Sequence, residues 1–203
     1  MDRLLTEFVK LWVVIDPIGT LPVFLAVTAG MSAAAARMVA IRAVLIAFVV
    51  LLFFVIGGQV LLNAMEIEMS SFQIAGNVVL FLFALTMIFG ESKLEEEEKL
   101  LRGSDLEKAV YPLAIPSIAS PGAMLTVMTI TDNSRVSIAE QAETLVQIVA
   151  ILAVTLALLF SASRIIALIG KAGASVISRV MGLILASVAV DGIVKGVRAV
   201  IMG

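Results

Sequence analysis

Long runs of apolar residues alternate with short polar connections along most of the chain. Six such segments lie at about 4–29, 40–62, 70–90, 109–131, 144–163 and 180–199. Each is close to the roughly 20 residues that a helix needs to cross a membrane. They are apolar on all sides rather than on one face, which is typical of helices that lipid surrounds. The pattern predicts an all-α membrane protein with six transmembrane helices in a single domain, 1–203.

Composition supports a lipid environment and excludes several kinds of chemistry. Hydrophobic residues make up 61% of the chain and charged residues 15%, whereas soluble domains are about half apolar and a quarter charged. The chain has no histidine and no cysteine, which excludes disulfides, zinc sites and thiol or imidazole catalysis. A net charge of −2 gives no indication of a nucleic-acid partner. We expect no catalytic residue, no metal site and no cofactor.

The basic residues in the connections predict the orientation of the chain. Lysine and arginine number nine on the side of the first, third and fifth connections, and five on the opposite side. Cytoplasmic connections carry the excess of these residues. We therefore expect both termini on the non-cytoplasmic side of a cell inner membrane. The charged connection 91–108 is then cytoplasmic, and its simplest interpretation is a solvated loop without chemistry of its own.

An internal repeat relates the two halves of the chain. Pro17 and Pro22 in the first segment have the same spacing as Pro116 and Pro121 in the fourth. Gly76 and Gly90 in the third segment have the same spacing as Gly182 and Gly196 in the sixth. Units of three spans must insert in opposite senses, because three is odd. The spacing predicts two inverted repeats, about 1–90 and 109–203, which is a known transporter architecture.

Prolines interrupt the first and fourth apolar segments. Asp16 before Pro17, and Ser120 before Pro121, are typical of an N-cap followed by proline at the first helical position. Backbone groups freed in this way are tolerated in a membrane only where protein, water or ligand satisfies them. A half-helix that begins at midplane favours an anion at its N-terminus. We therefore predict that helices 1 and 4 are broken near midplane and bind a small zwitterionic substrate; the alternative is that the prolines only kink the helices.

The polar and small residues near these interruptions are the candidate site. The predicted substrate-binding residues are Asp16, Pro17, Gly19, Thr20, Asn77, Ser117, Ala119, Ser120, Gly122 and Thr126. An acid inside a span is costly and usually functional, so Asp16 and Asp191 are candidates for proton or ion coupling. Simple capping by Asp16, an ion pair between Asp191 and Lys195, and helix packing by Asn77 are the alternatives.

At these residues the chain resembles the MarC family of bacterial and archaeal inner-membrane proteins. The resemblance lies in residues 16–25, 74–77, 112–122 and 177–183, which occur in the expected order. It implies transport of small neutral amino acids such as alanine and glycine, with which some members are associated, and a relation to exporters of the LysE type. The chain departs from the family pattern at Asp16, where asparagine is more usual, and at Ser120, where glycine is.

These observations predict a secondary transporter of small neutral amino acids, with proton and sodium coupling both open. A non-transporting accessory or regulatory membrane protein is the alternative, with the loop 91–108 as its docking surface. An intramembrane enzyme is disfavoured by the missing histidine, cysteine and G-x-S-x-G. The expected partners are the substrate and the lipid bilayer. Glycines at positions such as Gly57 and Gly58 permit close helix approach within or between subunits, which leaves a homo-oligomer open.

Overall fold

A computed structural model describes residues 3–89, 104–132 and 136–202, and this part of the chain is helical without a β-strand. The elements are α1 (Arg3–Ile15), α2 (Thr20–Val27), α3 (Ala33–Ala64), α4 (Met69–Phe89), α5 (Asp105–Lys108), a π-helical segment (Ala109–Ile118), α6 (Pro121–Ile130) and α7 (Ile138–Met202). Most of the predicted loop 91–108 lies outside the described residues. Its last part is α5, which begins with a capping box between Ser104 and Glu107.

Three helices among the described residues are long and apolar enough to cross a membrane. They are α3, α4 and the part Ile138–Ile165 of α7. A fourth is added if Asp105–Ile118 and Pro121–Ile130, which are bent by 54°, count as one span. The prediction of an all-helical membrane protein is confirmed. The predicted count of six spans is not, because length and composition support three or four.

The predicted connection between the fifth and sixth apolar segments is much shorter than expected. The helix α7 runs from Ile138 to Met202 and is interrupted at Gly170, where φ is 69° and ψ is 170°. That conformation is open essentially to glycine alone, so a single residue turns the chain where we expected a connection of about 16 residues. Residues 138–169 and 171–202 are therefore two helical parts of one element.

Two clusters of buried side chains form the core. The larger one joins α1, α2, α3, the π-helical segment, α6 and the first part of α7. The smaller one joins α4 to the second part of α7 through Leu80, Ala84, Leu185, Ala186 and Ala189. Small residues at these contacts let helix backbones approach closely, which is how membrane helices associate without a hydrophobic driving force.

Glycines on the second part of α7 fix how it packs on α4. A Cβ atom added at Gly182 would lie 2.9 Å from Cβ of Met87, and one added at Gly196 would lie 2.7 Å from Cγ1 of Ile74. Because the later residue of α7 contacts the earlier residue of α4, the two helices run antiparallel. The close approach requires glycine at these positions.

Candidate functional site

The first interruption is a turn that Asp16 organises with both its backbone and its side chain. Asp16 has a φ of 49°, a conformation that a residue other than glycine rarely adopts. Its Oδ1 accepts a hydrogen bond from N of Gly19 at 2.9 Å. Its carbonyl oxygen accepts from N of Thr20 at 3.1 Å and from Oγ1 of Thr20 at 3.0 Å. The N–H groups of Gly19 and Thr20 are thus satisfied within the turn itself.

The predicted start of the second half-helix is wrong by three residues. We expected α2 to begin at Pro17 with Asp16 as its N-cap, but α2 begins at Thr20. The left-handed conformation of Asp16 cannot lead directly into a right-handed helix, so a turn over residues 17–19 intervenes. Glycine is required at its end, because a Cβ at Gly19 would lie 1.9 Å from Oδ2 of Asp16.

The second interruption follows the prediction more closely. Ser120 is the N-cap of α6, with Pro121 at the start of the helix, and Oγ of Ser120 accepts from N of Ala123 at 3.0 Å. The π-helical segment before it contains two extended residues, Tyr111 and Ile115. Each precedes a proline, whose ring disfavours the helical conformation of the preceding residue. The predicted break in helix 4 is confirmed.

The two interruptions contact each other in the interior of the protein. Oγ of Ser120 donates to the carbonyl oxygen of Val14 at 2.8 Å, and Oγ of Ser117 donates to Oγ1 of Thr20 at 3.2 Å. Thr20 and Ser120 are each 1% exposed, and Ser117 is 7% exposed. Residues about a hundred positions apart in the sequence are thus joined by buried hydrogen bonds, which are strong where water is excluded.

The remaining predicted residues of the two interruptions are buried or partly buried around this contact. Pro17, Gly19, Ala119 and Gly122 are buried, and Thr126 is half-buried. Gly122 lies against α4, because a Cβ there would be 2.6 Å from Cδ2 of Leu80. The structure therefore brings the predicted residues of helices 1 and 4 together, with α4 alongside.

Asn77 and Asp191 lie in other contacts. Asn77 is buried, donates from Nδ2 to the carbonyl oxygen of Gln73 at 2.7 Å, and packs against Gly192. Asp191 forms an ion pair with Lys195, with 2.6 Å between Oδ2 and Nζ, and its side chain is 61% exposed. Asp191 also lines an open groove of about 410 Å³ between α4 and the second part of α7. These contacts agree with the alternatives given for the two residues, which were helix packing by Asn77 and an ion pair between Asp191 and Lys195.

A cluster of charged residues at the start of α1 and α7 was missed by sequence reasoning. Nη1 of Arg3 lies 3.4 Å from Oε1 of Glu7 and 3.4 Å from Oε1 of Glu140, and its Nη2 lies 2.5 Å from Oε2 of Glu143. The spacing of Arg3 and Glu7 by four residues was a signal of a helical ion pair. Within the described ranges, no group of three or more acids could hold a metal ion.

The long apolar helices define an integral membrane protein. Its two buried helix breaks form hydrogen bonds with each other. The chain belongs to the MarC family, because the sequence model of that family, described as MarC family integral membrane protein, matches residues 1–201. The resemblance stated from residues 16–25 and 112–122 is thereby confirmed.

Relatives of similar length occur in archaea and bacteria. UPF0056 membrane protein PH0760 of Pyrococcus horikoshii is 33% identical over 94% of this chain and 92% of its own length. UPF0056 membrane protein MJ1677 of Methanocaldococcus jannaschii is 32% identical over 100% of this chain and 99% of its own. UPF0056 inner membrane protein YhgN of Escherichia coli is 29% identical over 98% of both chains. No solved structure is significantly similar to the chain.

Proposed function

We propose that this protein is a secondary transporter of small neutral amino acids, such as alanine and glycine, with its substrate site at the two helix breaks. The observation that carries the proposal is the pair of buried hydrogen bonds between the breaks, from Ser120 to Val14 and from Ser117 to Thr20. These groups satisfy each other across the two breaks. A substrate that separates the breaks can take over the same donors and acceptors.

Both charges of an amino acid have a matching group at the breaks. In the first turn of α6, Pro121 has no N–H and that of Ala123 bonds to Ser120, which leaves the N–H of Gly122 and the positive end of the helix dipole to favour a carboxylate. The hydrogen bond from Ser120 to Val14 places this helix end beside the last turn of α1, two residues before Asp16. The carboxylate of Asp16 is 5% exposed, and an ammonium group is the counterion that such a buried charge needs. Close packing of Gly19 and Gly122 favours a small side chain on the substrate.

Asp16 is also the proposed coupling residue. An ionisable group inside a membrane segment exchanges its counterion when it meets water, and proton relays use such carboxylates. Asp16 would bind a proton or a sodium ion when no substrate is bound, and would exchange it for the ammonium group of the substrate. The exposed ion pair of Asp191 with Lys195 gives that residue less support, and its role in coupling stays a prediction.

Two inverted units of three spans would supply the motion. Contacts between α4 and the second part of α7 support this arrangement: Asn77 contacts Gly192, and Gly182 contacts Met87. In the proposed repeat, Gly76 of the first unit matches Gly182 of the second. Met87 of the first unit then matches Ile193 of the second, which is next to Gly192 in the sequence. A twofold axis between the helices produces such reciprocal contacts. One unit rocking against the other would expose the breaks to each side in turn.

The cellular setting follows from the charge distribution and from the relatives. The excess of lysine and arginine in the first, third and fifth connections supports termini on the non-cytoplasmic side. A relative from Escherichia coli is called an inner membrane protein. We accordingly place the transporter in the cell inner membrane, where proton and sodium gradients are available to drive it.

Flux measurements on the purified protein test this proposal. In proteoliposomes, radiolabelled alanine and glycine should exchange against internal unlabelled substrate, and a pH or sodium gradient should alter the uptake. Asp16→Ala should abolish exchange, whereas Asp191→Asn should retain most of it. An accessory protein would carry no substrate by itself, so absent exchange with correctly folded protein overturns the proposal.

A further inference from the structure

The charged cluster at the start of α1 and α7 contains more acceptors than donors. Arg3 is the cation, and the carboxylates of Glu7, Glu140 and Glu143 all lie within 3.4 Å of its guanidinium. The side chains of Arg3 and Glu143 are 40% and 48% exposed, whereas Glu7 is only 8% exposed. The cluster is therefore open to water on one side and continues into the protein at Glu7.

Two buried oxygen atoms in this region have no hydrogen-bond partner. One is Oε2 of Glu7 on α1, and the other is Oε1 of Gln147 on α7. A buried acceptor without a donor is costly, and such atoms in a native protein call for a physical explanation. These two atoms both accept, and although turning the Gln147 amide over would bring its Nε2 donor to the same place, that would leave the three carboxylates of the cluster with Arg3 as their one cation in the described part of the chain. A group that brings donors and a positive charge can resolve both deficits.

The register of α1 and α7 places the residues Glu7 and Gln147 at the same level of the two helices. Arg3 contacts Glu143 near the start of both helices, and both helices then continue into the same buried cluster, with Leu11 on α1 and Ile148 on α7. They therefore run side by side in the same direction. Glu7 is one turn after Arg3, and Gln147 is one turn after Glu143, so the unpartnered oxygens follow the ion pairs inward.

We propose that Glu7 and Gln147 form a binding site for a primary ammonium group, the first site that the amino end of a substrate reaches from this end of the molecule. An ammonium has three donors and no acceptor, which matches two unpartnered acceptor oxygens. Its charge compensates the carboxylate of Glu7. In the structure Arg3 supplies the cation at the mouth of the site, and an incoming ammonium competes with it. This assignment depends on the proposed function for the identity of the substrate.

The buried face of α1 connects this site with the helix breaks. Glu7, Leu11 and Val14 are buried on that helix, at the spacing of one helical face. Val14 accepts the hydrogen bond of Ser120 from the second break. Nine residues separate Glu7 from Asp16, about 13 Å along a helix at 1.5 Å per residue. An ammonium released from Glu7 thus has a second carboxylate just beyond the end of the same helix.

The one tryptophan of the chain reports on this site without any transport assay. Trp12 is five residues after Glu7, and its ring stacks on Phe8 at 6.0 Å between centroids. Purified protein in nanodiscs is titrated with propylammonium, with N-acetylalanine and with alanine while Trp12 emission is recorded. Propylammonium and alanine should give a saturable change. N-acetylalanine, which has the carboxylate but no ammonium, should give none.

Substitutions then assign the signal to the site. Glu7→Gln and Gln147→Leu should each weaken propylammonium binding by about tenfold or more, because each removes an acceptor and the first also removes the charge. The matched control is Glu68→Gln, an exposed acid elsewhere in the chain, which should leave the titration unchanged. A propylammonium signal that is absent, or that survives both substitutions, overturns the site and leaves water as the occupant of these oxygens.

The outcomes separate this site from the proposed function. If alanine exchanges in proteoliposomes but propylammonium binding does not depend on Glu7, the ammonium site is wrong and the transporter stands. If propylammonium binds through Glu7 but no amino acid exchanges, the transporter is wrong and the ammonium site stands.

Discussion

The two helix breaks provide hydrogen-bond partners for free backbone groups with different side chains. At the first, a carboxylate side chain accepts the N–H of Gly19 from a residue in the left-handed conformation. At the second, a hydroxyl caps α6 from an ordinary extended conformation and also donates to Val14 on the other break. The first break therefore contains a buried ionisable group, and the second contains neutral groups alone.

Capping alone does not require the charge at the first break. Asparagine and serine cap helices about as well as aspartate, so an amide at position 16 would accept the N–H of Gly19 equally well. A carboxylate that is 5% exposed is costlier to bury than an amide. The comparison shows that the contacts of Ser120 account for its hydroxyl group, whereas the described contacts of Asp16 do not require its charge. Four substitutions, in order of their expected effect on stability, test that distinction.

Gly19→Ala should have the largest effect. Its Cβ would lie 1.9 Å from Oδ2 of Asp16, so the carboxylate must leave its hydrogen bond or the turn must open. We expect a loss of about 3 kcal/mol in the free energy of unfolding, measured in mixed micelles through Trp12 fluorescence. The control is Gly57→Ala, where the added Cβ would be 3.4 Å from the ring of Phe53. Equal losses for the two variants would show that the first turn is not constrained as described.

Ser120→Ala should come next. It removes the cap of α6 and the hydrogen bond to Val14 together, so we expect a loss of about 2 kcal/mol in the same unfolding measurement. The control is Ser187→Ala, because that exposed hydroxyl bonds only within its own helix, to Leu183. A loss at Ser187 as large as that at Ser120 contradicts the structural role of the second break.

Ser117→Ala should have a smaller effect, because it removes one hydrogen bond between two hydroxyl groups. We expect about 1 kcal/mol. A double-mutant cycle with Thr20→Val isolates the pair, and a coupling free energy of about 0.5 kcal/mol or more is the expected result. A coupling free energy of zero would mean that the two breaks do not hold each other through this contact.

Asp16→Asn should change stability least, by about 0.5 kcal/mol or less, because the amide oxygen still accepts from N of Gly19. Its effect on transport should be large, because an amide cannot balance the ammonium charge of the substrate: amino-acid exchange should fall strongly, and a pH or sodium gradient should no longer drive uptake. Unaltered coupling in this variant excludes Asp16 as the coupling residue. A large loss of stability would instead return the carboxylate to a structural role.

Much of the fold could be predicted because hydropathy reports directly on the surrounding lipid. The helices α3, α4 and the first part of α7 coincide with predicted apolar segments, and Ser120 was a recognisable N-cap. The start of α2 could not be predicted, because it depends on a left-handed residue that is not glycine. Nor could the break at the single residue Gly170 be predicted. Charged residues lie on both sides of it, and such a stretch is typical of a longer connection.

The candidate site was predicted in its parts but not in its contacts. Proline positions identified both breaks, because proline removes a backbone donor wherever it occurs. Which hydroxyl bonds to which carbonyl depends on helix rotation, and the sequence does not encode rotation in any local signal. The cluster around Arg3 is the clearest case: it joins residues 140 positions apart, so packing alone brings Arg3 to Glu143.

Gly170 has a mechanical consequence for the whole molecule. The helical part before it belongs to the larger core cluster, the part after it packs on α4, and no atom lies within 4 Å of where its side chain would be. Two dihedral angles at one residue therefore set the angle between the two helical parts of α7. A change in either would shift the second part along α4, which stays joined to α6 where Leu80 contacts Gly122 and Leu125 contacts Gly76.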